Sequence, residues 1–597
     1  MTQADDTPRQ AAGEQLGLFD LEAPEPPPSP ALPETDPDRA AHRVGERHEQ
    51  VLELAGQRKA AGAYYTPPDV VLHLLDLTLT PILDACGDSI ERVRALRVLD
   101  PAAGTGNFLS AAGDLIRRRL EDVGVPTADA CAIAYGQCLV GVDLDPAAVE
   151  LCVASLVHAS RDTVTPEAMS TRVVCADAFE LLSDGDDLFA ADSGRCLAKE
   201  VGAVDGFDLV IGNPPFLSQL ASETVRAEAD TARLRRRFGP AVGSLTDTAA
   251  LFLLLAVDAA KPVDGVACLI QPMSVLSTKD GAAARNAVLQ QSSMRAAWIC
   301  EEQVFDASVR VCAPVFVRGH ATESVELVLN RAFEPAGSVP FSELQAPTWS
   351  ALLAASKGVP RRALRTGGSV RDIAAATADF RDQYYGLRGC VVDAADGDDS
   401  ELPPLVTSGL LDPAQVLWGE RATKFDKTRY EHPRVNLSQL TPKLQQWARS
   451  RLRPKIMLAT QTKVLEAFVD ESGRYLPSVP VLTITTDQIE DLWRLGALLS
   501  SAPVTLVAAN RHLGAALSSE ALKLSASDVL ELPLPSERAP WDKAADHFKQ
   551  ATLADADARS RELAISSQLI CEAFGLEDDA ELMTWWSGRL PARSAAR

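Results

Sequence analysis

Asn213-Pro214-Pro215-Phe216 carries the most specific chemistry in this chain, directly after the apolar run 207–211. Two prolines fix the backbone and remove two N–H donors, so nearby carbonyls stay free to accept. The Asn213 side-chain oxygen and the Pro214 carbonyl can then both accept hydrogen bonds from one amino group. That suits an exocyclic amine whose lone pair is delocalised into an aromatic ring. Two acceptors draw such a nitrogen towards a tetrahedral, nucleophilic state. Phe216 offers a face on which the ring can stack. The plainer alternative is a rigid proline turn after a strand.

A second constellation lies upstream. Asp100-Pro101-Ala102-Ala103-Gly104-Thr105-Gly106-Asn107-Phe108-Leu109 follows one short apolar run and opens a helical stretch. Its glycines let the backbone turn tightly and approach a ligand, with helix N–H groups facing it. The phosphate-loop pattern GxxxxGK[ST] is absent, and the GxGxxG of dinucleotide sites is incomplete. Gly141-Val142-Asp143-Leu144-Asp145 ends a second apolar run, and Ala176-Asp177-Ala178-Phe179 follows a third. A carboxylate at such a position can accept both ribose hydroxyls of a nucleoside. Singly, each acid reads as well as a helix cap. Together they favour a nucleoside bound without a phosphate cradle, a description that fits S-adenosylmethionine.

These residues need a scaffold that brings successive strand ends together. The runs 97–99, 138–142, 172–175, 207–211, 265–270 and 313–317 read as strands. The stretches 107–120, 146–158, 246–261 and 281–291 read as helices. This alternation predicts an α/β fold, a mostly parallel sheet covered on both faces, with ligands at its carboxyl edge. The pattern breaks near 333–340. Residues 340–538 read as a mixed α/β unit without a clear period, and 539–597 as a C-terminal helical segment.

The chain has 597 residues, 46% of them hydrophobic, and a formal net charge of −24. That length predicts two to four domains. An acidic total argues against a histone-like coat of nucleic acid and leaves room for a local basic face. Such a face is visible: 420–463 holds 11 basic and three acidic residues. Arg233, Arg235, Arg236 and Arg237 form a second cluster. The 11 cysteines are scattered without a CxxC pair, which suits a reducing cytosol. No apolar run approaches the ~20 residues of a membrane span. No zinc ribbon is expected and no metal is required.

At this point the motifs resemble a known family. The chain looks like an N6-adenine-specific DNA methyltransferase of the gamma motif order, with the cofactor motif first, the catalytic motif next and target recognition last. Asp100 to Leu109 is similar to the family's cofactor loop, and Asn213 to Phe216 to its catalytic tetrapeptide. Gly62-Ala63-Tyr64-Tyr65-Thr66-Pro67-Pro68 resembles its Tyr-Thr-Pro segment. The resemblance implies a Rossmann-like S-adenosylmethionine-dependent domain over 41–335 and a target-recognition domain over 340–538. It implies cofactor contacts from Thr66, Asp100, Ala102, Gly104, Gly106, Asn107, Phe108, Asp143, Leu144 and Asp177. Thr66 should lie near the methionine part, Asp143 at the ribose and Asp177 near the adenine. Asn213, Pro214, Pro215 and Phe216 would be catalytic, with Phe216 and Phe305 stacking on a flipped target adenine. The tetrapeptide ends in Phe where the family more commonly has Tyr; both offer a stacking face. Restriction-modification or phage defence is the expected setting.

Double-stranded DNA is the expected partner, gripped by Arg421, Lys424, Lys427, Arg429, Arg449, Arg451, Arg453 and Lys455. Residues 1–40 hold eight prolines among many acids and read as a disordered tail. Within the tail, Gln15-Leu16-Gly17-Leu18-Phe19 resembles the short motif by which bacterial DNA enzymes bind the replication sliding clamp. Separate restriction or defence subunits are further candidate partners. The expected location is cytoplasmic, at the nucleoid. Two other readings stay open: an N-methyltransferase acting on protein glutamine or RNA, and a non-catalytic DNA-binding subunit of a defence complex. The recognition sequence is not legible, because base readout and DNA shape depend on the fold.

Overall fold

The computed structural model describes residues 66–181, 197–216, 228–243, 246–305, 309–345, 347–379, 381–395, 402–514 and 521–591. The tail and the clamp-like motif lie outside these residues.

Ten strands form one sheet: β1 (Val98–Asp100), β2 (Leu139–Asp143), β3 (Val173–Cys175), β4 (Leu209–Gly212), β5 (Val266–Leu269), β6 (Gln271–Pro272), β7 (Ser292–Cys300), β8 (Val311–Arg318), β9 (Ser324–Leu329) and β10 (Glu334–Pro340). The order is β10-β9-β7-β8-β5-β4-β1-β2-β3, with β6 also paired to β8. The five strands from β5 to β3 are parallel. β8 runs antiparallel to both β5 and β7. β1 sits centrally, with Asp100 opposite Gly141 and Leu99 opposite Val210. The α/β expectation is met, and all six expected strands are present.

Side-chain alternation splits the strands between two cores. Leu99, Val140, Val142 and Val210 join one core, with helices α5 (Thr248–Ala259) and α6 (Ala282–Gln291). Val98, Leu139, Leu209 and Ile211 join the other, with α1 (Pro68–Cys86), α2 (Asn107–Asp122) and α3 (Pro146–Ala159). Pro68 takes the first turn of α1, where its missing N–H costs nothing. Val70, Val71, Leu74, Leu75, Leu79 and Leu83 then recur at helical spacing, and all are buried. That stripe packs α1 beside α2. It also fixes Thr66, two residues before the helix, at 4% exposure.

The sheet continues past the expected break. Glu334–Pro340 is its edge strand, paired antiparallel with β9. The second half carries a four-stranded antiparallel sheet of β11 (Ala375–Ala378), β12 (Lys455–Ala459), β13 (Glu466–Asp470) and β14 (Leu482–Thr485), in the order β11-β14-β12-β13. Helices α7 (Pro442–Arg451), α8 (Ile489–Leu499) and α9 (Ala502–His512) accompany it. The expected C-terminal helical segment is three helices: α10 (Arg538–Leu553), α11 (Ala556–Ala573) and α12 (Ala580–Ser587). Their apolar faces share one core with α8, α9 and the α5–α6 side of the large sheet. Hydrogen bonds link the halves: Trp349 N donates to Leu276 O at 2.7 Å, Ser277 Oγ to Gly514 O at 2.9 Å, and Thr348 Oγ1 to Arg511 O at 2.8 Å. Among the described residues no single helix is long and apolar enough to cross a membrane. The apolar pair α8 and α9 is bent by 64° and largely buried in this core.

Candidate active site

Three strand ends meet at the carboxyl edge of the large sheet. Asp100 ends β1, Asp143 ends β2, and Gly212 ends β4 immediately before Asn213. Parallel pairing of β1 with β2 and with β4 places them side by side.

The loop after β1 is held from below. Gly104 N donates to Asp143 Oδ2 at 2.8 Å, and Asp145 N donates to Oδ1 at 2.9 Å. Ala103 N donates to Val142 O at 2.9 Å, and Ala102 N to Asp100 Oδ1 at 3.0 Å. Gly104 and Gly106 have φ of +51° and +89°, the left-handed region that favours glycine. A Cβ on Gly106 would come within 2.8 Å of Cys152 Sγ on α3. A Cβ on Gly104 would meet nothing within 4 Å, so open space lies above that loop. α2 begins at Asn107, and its first N–H groups belong to this turn.

Burial pushes the Asp100 carboxyl up to about 8; its hydrogen bond from Ala102 opposes the shift and Asp143 adds to it. Burial likewise raises Asp143, against its backbone hydrogen bonds. An ionised carboxylate has about four acceptor sites, more than the backbone N–H groups of this loop fill. Room therefore remains for hydroxyls. Leu144 beside it is 74% exposed, an apolar side chain at a strand end next to that open space. A nucleoside with an apolar ring face fits this set of groups.

Asn213 is half-buried, and its Nδ2 donates to Thr66 Oγ1 at 3.1 Å, across 147 residues of sequence. The two motifs therefore touch. Pro214 is buried; Pro215 and Phe216 are half-buried. Phe216 packs against the α1–α2–α3 core, and Phe305 belongs to that core at 5% exposure.

Asp177 lies two residues beyond β3. Its Oδ1 accepts from Phe179 N at 2.9 Å, a turn-closing role. Its Oδ2 pairs with Arg233 Nη2 at 3.3 Å, and Arg233 also bonds Glu180. Arg233 lies on α4 (Glu228–Phe238), the described helix that follows Asn213–Phe216. The arginine cluster is thus mostly engaged within the protein. Arg237 meets Asp258 at 2.6 Å, and Arg235 Nε donates to Val242 O at 2.9 Å. Arg236 is exposed.

The basic stretch divides by burial. Lys455 is a correction: it is 0% exposed, bonded to Asp470 at 2.5 Å across β12 and β13, and out of reach of any phosphate. Arg434, in the same stretch, is 3% exposed, donates to the carbonyls of Ala394 and Leu402, and stacks on Trp418. Arg451 is held by Asp379 at 2.8 Å, where Trp447 Nε1 also donates, so Trp447 packs. Phe425 is buried in a small core with Tyr430 against it. Arg421 reaches Asp412 and Gly409 O. Lys424, Lys427, Arg429, Arg449 and Arg453 are exposed. The first three lie on a hairpin of Thr423–Phe425 and Thr428–Tyr430. Its two-residue turn, Asp426 and Lys427, has positive φ at both positions, the primed-turn geometry of tight hairpins. Lys424 stands directly opposite Arg429.

Sequence reasoning misses the role of Gly212. A Cβ there would overlap the Asp100 carboxyl. The one sequence signal is a glycine directly before Asn213. It misses the Arg233–Asp177 pair as well: the sequence marks both residues, but separately.

Residues 137–305 match the Eco57I restriction-modification methylase family. That segment contains Asn213 to Phe216, and the resemblance read from the motifs is borne out there: it is similar to restriction-modification DNA methylases. The fold is similar to that of the type IIL restriction-modification enzyme MmeI, solved in complex with DNA. The two are 13% identical with a TM-score of 0.53, over 89% of this chain and 79% of that one. A nuclease-deletion mutant of the type ISP enzyme LlaGI, with a DNA substrate mimic, matches at 11% identity and a TM-score of 0.49, over 85% of this chain and 48% of that one. A modification subunit of a putative type I restriction enzyme from Vibrio vulnificus matches at 20% identity and a TM-score of 0.34, over 49% of this chain and 52% of that one. The Rossmann-like methyltransferase fold is carried by the first of these likenesses.

Proposed function

We propose that this chain transfers a methyl group from S-adenosylmethionine to the N6 of an adenine flipped out of duplex DNA, at one sequence, within restriction-modification or phage defence. The observation that carries the reading is the meeting of Asp100, Asp143 and Asn213 at neighbouring strand ends, with Asn213 bonded to Thr66.

Bound at this edge, S-adenosylmethionine supplies an electrophilic methyl group on a sulfonium. Asp143 would take the ribose hydroxyls on its remaining acceptor sites, with Leu144 against the adenine face. Asp177 would take the adenine amine. Asp100 and the N–H groups that open α2 would face the methionine part. Asn213 Oδ1 and the Pro214 carbonyl would hold the target amine, and Phe216 would stack on its ring. Extrahelical adenine costs a few kcal/mol in lost stacking and pairing. Stacking on Phe216 and phosphate contacts by Lys424, Lys427, Arg429, Arg449 and Arg453 offset that. The chain's own part in catalysis is in-line placement and acceptors ready for the amine.

The test is long-read sequencing of DNA from a methylation-free host expressing the wild type or Asn213→Ala. Modified adenine in one motif, with the wild type alone, is the expected result. Modified protein or RNA with unmodified DNA would overturn the choice of substrate.

A further inference from the structure

The Thr66–Asn213 hydrogen bond has a consequence for the amide itself. A carboxamide has one accepting and one donating end, and its terminal torsion is broad and roughly two-fold. The torsion alone therefore does not choose which end faces an incoming amine. Only one choice works: with Oδ1 outward the amide accepts from the amine, and with Nδ2 outward donor meets donor. Here Nδ2 points at Thr66 Oγ1, 3.1 Å away. Thr66 is 4% exposed and sits at the entry to α1, whose buried stripe anchors it. The partner is a short side chain on the end of a packed helix, with little freedom to follow a turning amide.

We infer that Thr66 is a positioning residue for Asn213: its hydroxyl oxygen captures Nδ2 and so commits Oδ1 to the substrate amine. This rests on the methyltransferase reading and adds to it. Thr66 is expected from the motif resemblance to lie near the methionine part of the cofactor. A hydroxyl has two lone pairs and one proton, so accepting from Asn213 leaves it able to donate elsewhere. The inference is that its larger effect is on the orientation of Asn213 rather than on cofactor affinity.

Four variants test it: Thr66→Val, Thr66→Ser, Asn213→Ala and the Thr66→Val/Asn213→Ala double. Two readouts are used. The first is the single-turnover methyl-transfer rate on duplex DNA at saturating cofactor, with cofactor Kd measured separately. Thr66→Val should slow transfer by on the order of ten- to a hundredfold, the size expected when a reacting group is misplaced. Cofactor Kd should stay within about twofold, and Thr66→Ser should restore most of the rate. A Thr66→Val protein with weaker cofactor binding and an unchanged rate at saturation would overturn the inference. The second readout needs no activity: the Tm shifts of the two single variants and the double, in the absence of cofactor. Coupled residues give non-additive shifts. Additive shifts would overturn the inference whatever the activity. Should the wild type leave duplex DNA unmethylated while the shifts remain non-additive, the methyltransferase reading fails and the Thr66–Asn213 pairing stands.

Discussion

Asp100 and Gly212 touch directly across the β1–β4 pair: the Asp100 carboxyl occupies the space a Cβ on residue 212 would need. The strand that leads into the Asp100–Leu109 loop and the strand that leads into Asn213–Phe216 are therefore spaced by the absence of one side chain. Gly212 is buried and followed at once by Asn213, so any adjustment at 212 moves the amide. Gly212→Ala must either swing the Asp100 carboxyl away from Ala102 N or push the strands apart. Overpacking of this kind costs about 1–3 kcal/mol of stability. The protein should still fold, with methylation falling much further than stability does. Urea denaturation beside a methylation assay checks this; a variant with wild-type activity would mean that the two strands are not so tightly coupled.

Phe216 and Phe305 pack on the same core but differ in exposure, and they should part company under mutation. Phe305, at 5% exposure, behaves as core, so Phe305→Ala should cost about 3–5 kcal/mol of stability. Phe216 is half-buried at the end of the tetrapeptide. Phe216→Ala should lose about 1–3 kcal/mol of stacking on the target base and leave cofactor affinity alone. Phe216→Tyr should keep activity. The checks are thermal melts for one and methylation kinetics with 2-aminopurine at the target position for the other. A stable Phe305→Ala protein with weakened base stacking would return Phe305 to the site.

What is legible in the sequence depends on whether a property is local. The acids and the tetrapeptide can be placed because each directly follows an apolar run, and strand ends of a parallel sheet converge by construction. β7 is hidden because it opens Ser292-Ser293-Met294-Arg295, a polar start to a strand that is buried along most of its length. β10 contains two prolines and a glycine, tolerated because it is the edge of the sheet. Lys455 misleads for a related reason. Charge counted along a chain is blind to which face of a strand a residue takes, and only the register with Asp470 turns Lys455 inward. The Thr66–Asn213 bond joins two motifs that are both legible, but their meeting follows from the packing of α1 on α2.

The same register separates two kinds of cation in the basic stretch. Removing Lys455 leaves Asp470 buried without its countercharge, which costs about 3–5 kcal/mol. Lys455→Ala should therefore destabilise without altering how DNA affinity depends on salt. Lys424 and Arg429 are opposite, exposed and alike in charge, and Arg429 is also paired with Glu431 at 3.3 Å, which offsets part of their repulsion and leaves both heads at the surface. Lys424→Ala/Lys427→Ala/Arg429→Ala should leave the Tm near wild type. It should also flatten the log Kd against log salt plot by about 0.9 for each phosphate no longer neutralised. Binding measured at several salt concentrations checks both; an unchanged slope in the triple variant would remove the hairpin from the DNA interface.

Asp100 also makes a prediction about pH. Burial raises its carboxyl to about 8 in the folded protein, whereas an unfolded aspartate titrates at ~4. Between those values the native state holds a proton that the unfolded chain has released. Stability from this group is therefore complete below pH ~4 and is lost as pH climbs through about 8. Glu466 is raised to about 8 as well, by burial first and then by Asp412, with Arg421 opposing, so it contributes in the same window. Urea midpoints of the cofactor-free protein should fall steadily from pH 5 to 8. Asp100→Asn, which keeps an acceptor for Ala102 N, should remove part of that slope, Glu466→Gln another part, and the double variant most of it. A flat wild-type profile over that range would mean that neither carboxyl is held neutral. The site should respond with the opposite sign. A cation bound against Asp100 favours its ionised form, so cofactor affinity should rise with pH towards about 8 in the wild type and lose that dependence in Asp100→Asn.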